Sequence, residues 1–167
     1  QLISLLKKTP NSRVVNVSSI AHTSGNIDFD DLNWEKRKYR TWSAYSDTKL
    51  ANLYFTYELS RKLEEDKGNP IILASHPGWT ATDLQRYSGV ANFMNIFLGQ
   101  KVNIGALGGL RAATDLTAKS NDYFGSPSMG GMRGYPVLVK SNELSYNIDN
   151  AKKLWKLSEE LTGVIYD

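Results

Sequence analysis

Cysteine is absent from all 167 residues of the sequence, which excludes a disulfide framework and any metal site built on thiolates. Histidine is also scarce. The two histidines, His22 and His76, are far apart in the sequence, and neither has carboxylates near it at the spacing of metal ligands. A resident metal ion is therefore not expected.

The sequence also lacks an apolar run of the ~20 residues that a membrane-spanning helix needs, and it does not open with a secretory signal. The chain begins at Gln1, inside a predicted helix, which indicates that the front of the domain is missing. We expect a cytoplasmic segment with no membrane span, although an anchor upstream of Gln1 would lie outside this sequence.

Charge of one sign is not strongly in excess, since the formal net charge is only +3. The basic residues are densest between positions 36 and 40, but no repeated alternation of basic and aromatic residues accompanies them. This pattern favours a solvated loop over a nucleic-acid-binding surface. Hydrophobic residues at 41% and charged residues at 22% are typical of a globular domain.

Two short apolar runs, Arg13–Val17 and Ile71–Ser75, predict buried strands. Between them lie a long polar loop from Ile20 to Thr41 and a helix that is expected to begin at the N-cap Ser43 and run to about Glu65. A strand, loop, helix and strand in this order predict a parallel sheet covered by helices, which places the chain in the α/β class.

The remaining elements are predicted from apolar spacing and from glycine and proline. Helices are expected at Gln1–Lys8, at Ile104–Lys119 with Leu107, Leu110, Ala113 and Leu116 inward, and at Asn147–Leu161 with Gly163 at its end; a strand is expected within Tyr135–Val139. An apolar patch, Phe93–Leu98, is interpreted as core packing or, less strongly, as the wall of a substrate pocket.

A Tyr-x-x-x-Lys pair, Tyr45 and Lys49, falls in the first turns of the long helix, where side chains at i and i+4 share one face. An ammonium ion near a phenol stabilises the phenolate, which makes a tyrosine a better acid–base group. Ser18 and Ser19 follow the first strand, and Pro77–Gly78 follows the second. Because ligands bind beyond the carboxyl ends of parallel strands, these segments are expected to converge. A hydroxyl, a phenol and an ammonium together suit a carbonyl substrate.

These motifs, Asn16-Val17-Ser18-Ser19, Tyr45-Ser46-Asp47-Thr48-Lys49 and His76-Pro77-Gly78-Trp79-Thr80-Ala81-Thr82, resemble in order and context those of the short-chain dehydrogenase/reductase family. The resemblance implies the C-terminal half of a doubly wound, Rossmann-type domain, with Ser19, Tyr45 and Lys49 as catalytic residues. It further implies a nicotinamide cofactor, NADP or NAD, in contact with Tyr45, Lys49, Pro77, Gly78, Trp79, Thr80 and Thr82.

Ser19 and Tyr45 lie farther apart than in most of the family, and with Lys49-Leu50-Ala51-Asn52 this resembles the retinol-dehydrogenase-like and WW-domain-oxidoreductase-like branch. The resemblance implies a small carbonyl or alcohol substrate, and the patch at Phe93–Leu98 weakly favours an apolar one. In the family the tyrosine–lysine helix often packs across a dimer interface, so a homodimer is a further expectation.

The sequence departs from the family in having no Gly-x-x-x-Gly-x-Gly after a strand. Gly105, Gly108 and Gly109 lie inside a predicted helix, where packing explains them better. Residues 1–167 are therefore predicted to be one partial domain without its cofactor-phosphate half. Two alternatives remain open: an inactive fragment or interaction module, and, less favoured, an epimerase or dehydratase of the extended branch of the family.

Overall fold

A computed structural model describes residues 2–64, 70–81 and 99–166, in which a four-stranded sheet is flanked by helices. The strands are β1 (Arg13–Val17), β2 (Ile71–Ser75), β3 (Tyr123–Gly125) and β4 (Val137–Val139). The α-helices are α1 (Ile3–Lys8), α2 (Thr41–Glu64), α3 (Val102–Thr114) and α4 (Ile148–Thr162), and 3₁₀ helices occupy Ile20–Ser24 and Glu143–Tyr146.

The sheet has the order β1-β2-β3-β4, with β1, β2 and β3 parallel and β4 antiparallel to β3. The register pairs Val17 with Ser75 and Ser75 with Phe124, so that the three parallel strands end at one edge. The backbone N–H of Ser18 continues this pairing by donating to the Ser75 carbonyl at 2.8 Å. The segments that follow these strands therefore start side by side.

Alternating side chains of β2 point to opposite faces of the sheet, as the period of two in a strand requires. Ala74 packs on the α2 side with Leu53, whereas Leu73 packs on the α3 side with Ala112. Because helices cover both faces, β2 is an almost continuous apolar run. The α/β fold predicted from the sequence is confirmed, and its strand bounds for β1 and β2 agree with those observed.

Helix α2 has no glycine or proline in its 24 residues and begins two residues before the predicted N-cap, Ser43. One side of the helix, with Leu53 and Tyr57, packs on the sheet. Another side, with Leu50 and Tyr54, packs against α4 and the long loop between β1 and α2. The helix is thus held between the sheet and these outer segments.

The long loop is an ordered structure built around the Asp31 carboxylate, which accepts the backbone N–H groups of residues 35–37 at 2.7 to 3.0 Å. Arg37 stacks over the Trp34 ring at 3.7 Å and pairs with Asp47 of α2 at 3.5 Å. These contacts attach the loop to the helix that carries the tyrosine–lysine pair.

Helix α3 differs from its prediction in length and in its inward face. It spans Val102–Thr114, and three of the predicted inward residues are exposed: Ala113, Leu110 at 56% and Leu116 at 93%. The buried face consists of Gly105, Gly108 and Ala112. A Cβ on Gly108 would lie 3.1 Å from the His76 carbonyl oxygen, so small residues let the helix backbone approach β2 closely. The packing role predicted for the glycines agrees with this geometry.

Two smaller expectations also need correction. Strand β1 was predicted to be buried, yet its residues are half-buried and Val17 is 53% exposed, because β1 has a strand partner on one side only among the described residues. Leu161 of α4 was predicted on the apolar face and is exposed. The end of α4 agrees with the prediction, since Gly163 adopts a left-handed φ of 67° there.

Within the part of the chain that the structure describes, no helix combines the length and the apolarity that crossing a bilayer requires.

Candidate active site

Ser18 and Ser19 have different roles at the carboxyl end of β1. Ser18 is 2% exposed and donates its hydroxyl to the backbone carbonyl of Lys49 at 2.8 Å, which ties β1 to α2. Ser19 is half-buried, and its Oγ accepts the backbone N–H of Ala21 at 3.2 Å as the N-cap of the first 3₁₀ helix. Among the described residues the Ser19 hydroxyl proton has no acceptor and can be donated to a ligand. The Ser18 hydroxyl proton is already donated to the Lys49 carbonyl.

Tyr45 and Lys49 lie one turn apart on α2, and both are half-buried. The ammonium of Lys49 is 5.5 Å from the centroid of the Tyr45 ring and 3.5 Å from the backbone carbonyl oxygen of Val17. Burial lowers the pKa of Lys49 from its ordinary value. Because Val17 is two residues before Ser19, the lysine lies at the junction between the end of β1 and the tyrosine helix.

Asn52, which the sequence reasoning missed, also belongs to this junction. Its side chain donates to the Val17 carbonyl oxygen at 2.9 Å, so this acceptor is satisfied without the more distant Lys49 ammonium. Asn52 is three residues after Lys49 and seven after Tyr45, which places all three on one face of a helix. That spacing could have identified it from the sequence.

The Pro77–Gly78 turn follows β2 at the same edge of the sheet. Gly78 has a φ of +67°, and a Cβ there would lie 2.5 Å from the Met132 carbonyl oxygen, so only glycine fits without strain. The Pro77 carbonyl accepts the hydroxyl of Thr80 at 2.8 Å, and the backbone N–H of Trp79 donates to Met132 at 2.8 Å.

Of the three residues after the turn that were predicted to contact the cofactor, the structure describes Trp79 and Thr80 but not Thr82. Thr80 is 8% exposed and packs against Gly105 of α3, whereas Trp79 is half-buried. Thr82 and the apolar patch at Phe93–Leu98 lie outside the described residues.

The structure brings the serine segment, the tyrosine–lysine pair and the Pro-Gly turn to one edge of the sheet.

Gln100 is a second residue that sequence reasoning missed. Its buried side chain donates to the Pro77 carbonyl at 2.6 Å and accepts the backbone N–H of Gly134 at 3.2 Å. It thus connects the Pro-Gly turn to the loop between β3 and β4. No local motif marks it, because its partners are 23 and 34 residues away in the sequence.

Both histidines are buried beside this edge. His76 accepts the backbone N–H of Gly78 at Nδ1 over 3.2 Å, and burial lowers its pKa to about 4, with a smaller contribution from His22. Burial likewise lowers the pKa of His22. Tyr123 lies between them, with ring centroids 5.7 Å from His22 and 5.2 Å from His76. His76 therefore stabilises the turn that follows β2 by accepting the Gly78 N–H.

Comparison with known proteins gives a consistent result, although no family model matches the chain. Retinol dehydrogenase 14 of Homo sapiens is 33% identical over 168 residues, which is 98% of this chain and 48% of that protein. The short-chain dehydrogenase TIC 32 A, chloroplastic, of Brassica napus is 37% identical over 160 residues, or 89% of this chain and 46% of that protein.

The chain belongs to the short-chain dehydrogenase/reductase family. Its retinol-dehydrogenase-like branch is shown further by Retinol dehydrogenase 13 of Homo sapiens, 46% identical over 101 residues, which are 59% of this chain and 30% of that protein. A crystal structure of an uncharacterised protein from Mycobacterium paratuberculosis superposes with a TM-score of 0.76 at 36% identity. The superposition covers 94% of this chain and 52% of the Mycobacterium chain. This chain therefore spans about half the length of the relatives that match nearly all of it.

Proposed function

We propose that this chain supplies the catalytic half of an NAD(P)-dependent oxidoreductase that interconverts a carbonyl and an alcohol. The observation that carries the proposal is the position of the Lys49 ammonium, 5.5 Å from the Tyr45 ring and at the end of the strand that leads to Ser19. The family's named members are dehydrogenases, which supports the same reaction class.

In the reducing direction, the Tyr45 hydroxyl donates its proton to the substrate oxygen as hydride adds to the carbonyl carbon. The Ser19 hydroxyl donates a hydrogen bond to that oxygen and holds the carbonyl in place. The Lys49 ammonium stabilises the phenolate that proton transfer leaves behind. In the oxidising direction, the phenolate takes the alcohol proton. A bound nicotinamide supplies or accepts the hydride.

The described residues fit the nicotinamide end of such a cofactor better than its phosphate end. Lys49 offers a half-buried ammonium for the ribose at the end of β1. The sequence has no glycine-rich turn to hold the pyrophosphate. The proposal therefore covers NADP and NAD alike.

The catalytic assignment predicts that Tyr45→Phe in the complete protein lowers kcat by about 10²- to 10⁴-fold, the usual contribution of a positioned acid–base group. Tyr135→Phe is the matched control, because Tyr135 is 70% exposed and outside the site. Steady-state kinetics with a carbonyl substrate and reduced cofactor measure both variants. Near-normal turnover of the Tyr45 variant would refute the assignment.

The alternative, a non-catalytic piece or interaction module, is favoured by the missing phosphate-binding turn. Titration of NADH and NADPH against this chain, followed by cofactor fluorescence, separates the two functions. Cofactor binding as tight as in complete family members contradicts the alternative. Undetectable binding by the chain, together with an active complete protein, means that the segment alone is inert.

The substrate is proposed to be an apolar alcohol or its carbonyl form, since retinol, in the names of three relatives, is a largely hydrocarbon alcohol. The relatives are named dehydrogenases, which favours this reaction over that of an epimerase or dehydratase. Turnover of retinal against a polar aldehyde tests the preference.

Assembly and location remain proposals. A homodimer through α2 would have to use exposed residues such as Trp42 or Phe55, because Leu50 and Tyr54 are covered by the same chain. Light scattering measures the oligomeric state. A cytoplasmic location is still a prediction, and cell fractionation of the complete protein tests it.

A further inference from the structure

His22 is 3% exposed and has a hydrogen-bond partner at each ring nitrogen. Its Nδ1 is 2.6 Å from the Ser19 carbonyl oxygen, and its Nε2 is 3.2 Å from the backbone nitrogen of Asn142. Ser19 and Asn142 are 123 residues apart in the sequence. A single buried side chain therefore connects the candidate catalytic serine with the C-terminal part of the fold.

The partners determine the protonation of this ring. A carbonyl oxygen only accepts, so Nδ1 must carry a proton; a backbone N–H only donates, so Nε2 must present its lone pair. The ring is then the neutral Nδ1–H tautomer. An imidazolium would direct an Nε2–H at the Asn142 N–H, which leaves two buried donors facing each other.

Both ends of this bridge are attached to rigid parts of the molecule. The Ser19 carbonyl also accepts the backbone N–H of His22 at 3.0 Å, which closes the first turn of the 3₁₀ helix. At the other end, Ser141 precedes Asn142 and its Oγ is 2.8 Å from the hydroxyl of Tyr57. Tyr57 belongs to α2, the helix that carries Tyr45 and Lys49.

We propose that His22 is a positioning residue that fixes the Ser19 backbone relative to α2 through the Asn142 segment. It contacts no reacting atom and acts through Ser19. The proposal rests on the proposed oxidoreductase function, because a serine that orients a carbonyl needs a fixed distance to the tyrosine. A displacement of about 1 Å in such a site can reduce the rate by about 10²-fold.

The surroundings of the ring keep it neutral at physiological pH. Among the described residues, the titratable groups that face His22 are Tyr123 of β3, with its ring edge-on, and His76 after β2. Neither carries a negative charge at neutral pH, and burial lowers the pKa of His22. The bridge is expected to persist at pH 7 and to break only in acid.

Two substitutions of His22 each remove one of its two hydrogen bonds. The side-chain amide of asparagine can take the place of the ring Nδ1, and that of glutamine can take the place of the ring Nε2. His22→Asn keeps a donor for the Ser19 carbonyl, whereas His22→Gln keeps an acceptor for Asn142. In the complete protein we expect His22→Gln to lower kcat by about 10- to 10²-fold with little change in the KM for cofactor. His22→Asn breaks the bridge at its Asn142 end and is expected to lower kcat by a similar factor.

Thr23→Ala is the control, because Thr23 is exposed, lies in the same 3₁₀ helix and donates to Ile20 rather than to Ser19. It should leave kcat unchanged. Parent-like kcat in the asparagine variant, which has lost the contact with Asn142, would overturn the proposal, since the link to Asn142 would then not position Ser19. Parent-like kcat in both variants would overturn it as well.

A second measurement does not depend on catalysis and uses this chain as it stands. Ring ¹⁵N shifts of His22 should report the neutral Nδ1–H tautomer at pH 7, and an Nε2–H tautomer or an imidazolium would overturn the proposal. Amide exchange at Asn142 should accelerate in His22→Asn but not in His22→Gln. If the tautomer and exchange agree but the complete parent protein is inactive, the oxidoreductase function fails while the bridge stands.

Discussion

At the scale of single residues, Gly78 and Gly130 have nearly the same φ angle but different surroundings. Their φ angles are +67° and +65°. A Cβ on Gly78 would lie 2.5 Å from the Met132 carbonyl oxygen and 2.6 Å from the Ser126 hydroxyl, whereas a Cβ on Gly130 would meet nothing within 4 Å. The pair therefore separates backbone strain from steric overlap.

We predict that Gly130→Ala lowers the free energy of unfolding by about 1 kcal/mol, the cost of a left-handed conformation for an L-residue. Gly78→Ala should lower it by about 2 to 4 kcal/mol, because backbone displacement at the turn adds to the same strain. Urea denaturation followed by circular dichroism measures both. Equal losses would show that the turn relaxes without cost.

His22 and Gln100 show why some residues of the site could not be predicted from the local sequence. Tyr45 and Lys49 were identifiable because their spacing fixes their relation on a helix. His22 and Gln100 act on partners distant in the chain, and nothing in their own neighbourhoods marks those partners. Asn52 had a helical spacing that would have revealed it.

At the scale of elements, α3 packs through glycines rather than leucines. Gly105 approaches the Thr80 side chain so closely that an added Cβ would lie 2.9 Å from Cγ2 and would overlap Oγ1. Gly109, on the same helix, would place a Cβ at an ordinary 3.8 Å from the Ser75 hydroxyl. Apolar periodicity predicted the wrong face because it gives weight to large side chains and none to close backbone approach.

These two glycines give a matched prediction. Gly105→Ala should lower the free energy of unfolding by about 1 to 3 kcal/mol through overpacking against Thr80. Gly109→Ala should be neutral or stabilise the chain by up to about 1 kcal/mol, because alanine has the higher helix propensity. Thermal and urea denaturation measure both. A stabilised Gly105 variant would contradict the close packing described here.

At the scale of the whole molecule, two buried histidines predict how stability depends on pH. Burial lowers the folded-state pKa of His76 to about 4 from an ordinary value of 6.5, so between these values the unfolded chain binds more protons than the folded chain. Stability from His76 is present above pH 6.5 and is lost as the pH falls to 4. The lowered pKa of His22 acts in the same direction.

At 1.36 kcal/mol per unit of pKa, His76 contributes a loss of about 3 kcal/mol across this range. His76→Asn keeps an acceptor for the Gly78 N–H but does not titrate. Its free energy of unfolding should therefore fall less between pH 6.5 and pH 4, as measured by urea denaturation at several pH values. An unchanged pH dependence would contradict the assignment to His76.

The sequence by itself determined the α/β class, the strands β1 and β2 and the tyrosine–lysine face of α2, because these depend on residue type and on regular spacing along one segment. Tertiary structure alone decided which serine hydroxyl has no acceptor among the described residues, which face of α3 is buried and how His22 connects Ser19 with Asn142. These features depend on contacts between segments that are distant in the chain, and local periodicity carries no information about such contacts.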